Sequence, residues 1–117
     1  MSTLKLDTIA SRDGTESTDV TNVINGSAKA WVNFNGQGTV AIRESFNVSS
    51  ITDNSTGNYD VNFTTAMSDA NYSTVCGGYG GNPCTIGNPQ TTSAVQVISF
   101  YNGGYYDVAQ VTVAVFR

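Results

Sequence analysis

The stretch 28–63, AKAWVNFNGQGTVAIRESFNVSSITDNSTGNYDVNF, limits the choice of fold more than any other. Its apolar residues recur at every second position. Ala30, Val32 and Phe34 share one parity, with Trp31 and Asn33 on the other. Val40 and Ile42 repeat the pattern, as do Tyr59, Val61 and Phe63 around Asp60 and Asn62. A period of two places successive side chains on opposite faces of an extended strand, so these segments read as half-buried β-strands. Asn35-Gly36-Gln37-Gly38 supplies residues that tolerate a reversal, and Thr52 to Asn58 forms a longer polar one. No stretch carries a comparable helical period. Arg43-Glu44-Ser45 interrupts the pattern, as a tight turn or as a bulge in one bent strand. We adopt the turn, which places the 35–38, 52–58 and 77–93 loops at the end far from Ala28. A bulge would instead put 52–58 and 77–93 at the near end and Asn102 to Tyr105 at the far one.

Beyond this block, Tyr72 to Cys76 reads as a strand anchored by Tyr72 and Val75, and Gly77 to Ser93 as a long irregular loop. Ala94 to Tyr101 is a strand, Asn102-Gly103-Gly104 a hairpin turn, and Tyr105 to Arg117 a long last strand. That strand carries Val111, Val113 and Val115 on one face and Val108, Ala114 and Phe116 on the other. Apolar residues on both faces call for burial on both sides. In a chain of 117 residues the second cover is expected from another subunit, so Val111, Val113 and Val115 are assigned with Trp31 to an oligomer interface. A lone mid-strand tryptophan anchors a core or interface more often than it stacks on a sugar, which is the alternative for Trp31.

Residues 1–27 form a separate region from the 28–117 β domain. Leu4, Leu6 and Ile9, then Val20, Val23 and Ile24, are apolar groups around a polar turn at 11–19. Such a segment cannot bury a core alone. We read it as an attachment arm or shaft stub that docks on a partner through Leu4, Leu6 and Ile9, rather than as a disordered leader.

Several chemistries find no support. Histidine is absent, which removes Ser-His-Asp and Cys-His arrangements and leaves Cys76 and Cys84 as a poor zinc set. The two glutamates, Glu16 and Glu44, do not suggest a glycosidase pair, and most aspartates fall in turns for backbone reasons. Gly77-Gly78-Tyr79-Gly80-Gly81 lacks the lysine and helix of a phosphate loop. The expectation is therefore no enzyme and no cofactor. Net charge is −4 with only 12% charged residues, so no basic footprint for nucleic acid exists. No span is apolar enough for membrane insertion, and the N-terminus does not read as a signal peptide, so assembly in a cytoplasm is expected. There the two cysteines would stay reduced; after release, thiols and a disulfide are both open.

Tyr79, Tyr101, Tyr105 and Tyr106 lie in or beside Gly- and Asn-rich turns. Tyrosines in such loops give large contact area at small entropic cost, a pattern of binding surfaces, although hairpin ends also carry aromatics for cross-strand pairing. Alternation puts one of Tyr105 and Tyr106 inward and the other outward. Tyr79, Asn82, Tyr101, Asn102 and Tyr105 are the candidate contact residues.

KAWVNFNGQGTVAIRESFNVSSITD (29–53), followed by GNYDVNFTTAMSDANY (57–72), resembles a domain of tail-fibre and other small virion proteins of bacteriophages, cyanophages and marine phages in particular. The opening MSTLKLDTIASRDGTES resembles the start of short structural proteins of the same group. Ser68 departs from the pattern, where proline is common. The resemblance implies a small antiparallel β-sandwich module, a homotrimer, mounted on a virion through other virion proteins at its N-terminal arm. It also implies a tail-fibre or fibre-tip role in which the module touches a host surface glycan or protein. A capsid decoration, or a neck or baseplate fibre, is the alternative setting.

Overall fold

The computed structural model describes the backbone of residues 1–117 and every side chain except that of Pro89. The regular structure is mostly antiparallel β-strand. A short hairpin opens it, with β1 (Thr8–Ala10) paired to β2 (Ser17–Asp19). A seven-residue helix α1 (Val20–Gly26) follows, which the strand-only reading missed because its apolar residues are too few to show a helical period. The Lys29 ammonium donates to the carbonyls of Ile24 and of Ser27 (2.9 Å), covering acceptors that the end of so short a helix leaves free.

From Ala28 onward the chain builds two facing sheets. In chain order come β3 (Ala28–Asn35), β4 (Ala41–Phe46), β5 (Val48–Ser55), β6 (Asn58–Phe63) and β7 (Ser73–Gly78). Then follow a 3-10 turn at Tyr79–Gly81, β8 (Cys84–Gln90), β9 (Ala94–Tyr101), β10 (Gly104–Tyr105) and β11 (Val111–Phe116). One sheet has the order β4-β3-β11-β7; the other runs β10-β9-β6-β5, with β8 also pairing β9.

Alternation decides what lies between them. Ala30, Val32 and Phe34 of β3, Val111, Val113 and Val115 of β11, Tyr59, Val61 and Phe63 of β6, and Val95 and Val97 of β9 are all buried. Phe34 meets Tyr59 edge-on across the layer at 5.2 Å, and Phe63 meets Tyr72 at 5.7 Å. Val111, Val113 and Val115 are thus covered by the chain's own second sheet rather than by another subunit. Their assignment to an interface is corrected for that reason. Val108 is also buried; it lies before β11, and its carbonyl accepts from the Gly36 amide at 2.9 Å.

The interruption at Arg43 is a bulge, since Asn33 pairs with Glu44 and Phe34 with Ile42, leaving Arg43 extra. The reversal expected at Glu44-Ser45 instead falls at Asn47, which takes φ 55° and turns the chain from the first sheet into the second. The 77–93 segment is not an irregular loop. It contains β8, whose register shifts between Ile86 and Gln90, a stretch that includes Gly87 and Pro89. The long last strand is split, with only β10 and β11 extended and 106–110 between them irregular.

Candidate functional site

The strand directions gather four loops at the end of the sandwich remote from Ala28. The β3–β4 loop lies there because Phe34 pairs with Val111, while Ala28 pairs with Phe116. The β5–β6 turn joins it: the Tyr59 hydroxyl reaches the Gly36 carbonyl (2.9 Å) and Asp107 Oδ1 (2.8 Å), and the Gly57 amide donates to the same carboxylate oxygen at 2.7 Å. Burial, reinforced by the Asp107 carboxylate, pushes the Tyr59 phenol well above its usual range. Gly57 has φ +67°, and a Cβ there would stand 2.6 Å from the Ser99 carbonyl oxygen and the Tyr106 amide nitrogen. The loop can only pack this closely with glycine.

The other two loops carry the aromatics. Gly78 pairs with Val111, so the Tyr79–Pro83 turn opens at the same end. There the Tyr79 amide donates to Gln110 (2.9 Å) and the Asn82 carboxamide donates to the Tyr79 carbonyl (2.7 Å). Asn102 and Gly103, with φ 50° and 79°, turn β9 into β10. Tyr105 lies beside Phe100, its cross-strand partner, with rings 5.4 Å apart, and Tyr101 lies 5.1 Å from Tyr106.

The structure therefore brings all five sequence-selected contact residues, Tyr79, Asn82, Tyr101, Asn102 and Tyr105, to one end. Both the adopted turn and its alternative placed only some of them there. The extra reversal made by β8 is the reason both groups coincide. Tyr79 is 67% exposed, and Tyr101, Tyr105 and Tyr106 are exposed as well. The inward-outward split expected for Tyr105 and Tyr106 does not occur, because β10 stops at Tyr105 and strand alternation ends with it. Asn82 is only half-exposed, and its side chain is occupied in shaping the Tyr79 turn.

A second surface lies on the outer face of the β4-β3-β11-β7 sheet. Strand register puts Phe46, Trp31, Ala114 and Val75 in one row across all four strands. Phe46, Trp31 and Val75 are 53%, 38% and 58% exposed. A shallow groove of about 460 Å³ runs between Trp31 and Val75 over Gly77, Thr112 and Ala114. Val75 is thus an outer-face residue, not the core anchor expected; Tyr72 is the buried one, held by hydroxyl contacts to the carbonyls of Thr91 (2.8 Å) and Ala94 (3.0 Å). Burial raises the Tyr72 phenol to about 12. Phe46 and Val75 were missed as partners of Trp31 because only the register, not the alternation of each strand alone, aligns them.

Leu4, Leu6 and Ile9 are exposed, as are Val23 and Ile24 of α1. Among the described residues no group of three or more acidic, cysteine or histidine side chains could hold a metal ion. No helix of the structure is long and apolar enough to cross a membrane. Compared with family models, curated proteins and solved structures, the chain matches none.

Proposed function

We propose that the chain is a virion fibre protein, a tip or tail-fibre module that contacts a host surface glycan or protein through its tyrosine-bearing loop end. The observation that carries this reading is the division of exposed groups between the two ends. The exposed apolar residues Leu4, Leu6 and Ile9 precede the strand that enters at one end, and Tyr79, Tyr101 and Tyr105 crown the other. A protein that must be held at one end and touch a target at the other needs this polarity. The resemblance of residues 29–72 to phage fibre modules supplies the setting. The neutral Tyr, Asn and Gly chemistry of the loops suits a sugar or protein surface better than a charged one. In this reading the N-terminal segment is the arm that docks on other virion proteins, and the Trp31 face is where copies of the sandwich associate into a homotrimer.

The test is adsorption of particles carrying Tyr79→Ser, Tyr101→Ser and Tyr105→Ser together. Truncating central contact residues typically costs about 1–2 kcal/mol each, so host adsorption should fall by roughly tenfold or more at unchanged particle yield. Unchanged adsorption would remove the loop end from any receptor site.

The apolar row on the outer sheet face favours a second reading, a structural virion component such as a capsid decoration or a neck or baseplate fibre. Particles lacking the protein would then adsorb normally and break more readily.

A further inference from the structure

Cys76 and Cys84 pack against the core, but neither the fold nor the proposed contact surface uses their thiol chemistry. The sandwich has two open sides, where an edge strand of one sheet lies against an edge strand of the other. On the β4/β5 side the crossing is direct. Asn47 ties it, its carboxamide donating to the carbonyls of Lys29 (3.0 Å) and Thr65 (3.1 Å) and accepting from the Thr65 amide (2.7 Å). On the other side β7 belongs to one sheet and β8 to the other, so no ladder of backbone hydrogen bonds joins them. β7 and β8 lie in contact, and both cysteines sit at inward-facing register positions along this seam, where their thiols interact. Cys76 stands opposite Val113 in its sheet, and Cys84 opposite Ser99 in the other. Both are half-buried against the core, and both are free thiols.

We propose that Cys76 and Cys84 are an oxidative modification site. A disulfide between them closes the ring 76–84 and clips the two sheets together beneath the Tyr79 turn. The oxidant is a small-molecule disulfide of the glutathione type. The Cys76 thiolate attacks one of its sulfurs and expels a glutathione thiolate, leaving a mixed disulfide. Cys84, on losing its proton to solvent, attacks the Cys76 sulfur and expels the second glutathione. Two protein thiols are oxidised by two electrons, and one small disulfide is reduced to two thiols. The chemical asymmetry of the pair fits this order. Interaction with the neighbouring Cys84 thiol lowers Cys76, while the same interaction, with burial, raises Cys84. A reducing cytosol would keep the site open, and an oxidising exterior would close it.

The experiment equilibrates the purified chain with oxidised and reduced glutathione, then traps free thiols and measures intact mass and thermal midpoint. The expected product has lost two hydrogen atoms, carries no glutathione and takes up no alkylating agent. It melts several degrees above the reduced chain, as closing a loop constrains the unfolded state. Cys76→Ser should keep the reduced melting point and show no gain on oxidation. Persistent free thiols, stable glutathione adducts, disulfide-linked dimers or an oxidised form no more stable than the reduced one would each overturn the proposal.

Discussion

Tyr59 shows how one side chain fixes the loop end. Its ring fills the core against Phe34, and its hydroxyl emerges among the loops to meet Asp107 and the Gly36 carbonyl. The same Asp107 oxygen holds the Gly57 amide, so three loops are tied through one carboxylate and one phenol. Hydrogen bonds to charged groups contribute about 1.5–3 kcal/mol, so Tyr59→Phe should lower unfolding free energy by that amount in urea titrations. The core would be left intact, and amide exchange at Gly57 should quicken before the sheets loosen. The inward direction of Tyr59 is legible in the alternation with Val61 and Phe63. Its partner is not, because Asp107 stands 48 residues away in an irregular segment with no period to locate it.

At the level of elements, the sequence announces strands wherever alternation is clean and falls silent where it breaks. β3, β6 and β9 are all visible in advance. β8 is hidden by Gly87 and Pro89, residues that a central strand would exclude but an edge strand with an irregular register accommodates. The sheet-to-sheet corner at Asn47 did leave a signal: asparagine is among the few residues that visit positive φ readily, and it sits between apolar Phe46 and Val48. The β1–β2 hairpin makes its own prediction. Asp13 accepts from the hydroxyl of Ser11 (2.7 Å) and from the hydroxyl (2.7 Å) and amide (3.0 Å) of Thr15, chiefly the first of which brings its carboxyl down to about 2. The folded value lies below the ordinary one of about 3.9, so the turn draws full support from the ionised carboxylate above pH ~4 and loses it as pH falls through about 2. The Thr15 amide resonance should therefore titrate near pH 2, and Asp13→Asn should abolish that titration while leaving the sandwich unchanged.

For the molecule as a whole, the outer row of Phe46, Trp31, Ala114 and Val75 bears directly on assembly. If copies associate through it, light scattering on a sizing column should give about three times the 12.3 kDa of one chain. Trp31→Asp with Val75→Asp should then return a folded monomer, because both side chains lie outside the core. A wild-type monomer would leave that face to a different partner and favour the structural-component reading. The arrangement of strands has a consequence in time as well as in space. β11 lies between β3 and β7, holding the first strand of the sandwich beside its fifth. Residues 28–35 therefore have only β4 to pair with until residues 111–116 arrive and complete their sheet. During synthesis the second sheet, whose strands all lie within residues 48–105, has every partner it needs before β11 emerges, while β3 and β4 wait as a hairpin and β7 has no ladder partner. Such a domain closes at a rate set by long-range pairing, and the apolar faces of β3 and β7 stay open to chaperones, or to sister chains on the same messenger, until β11 docks.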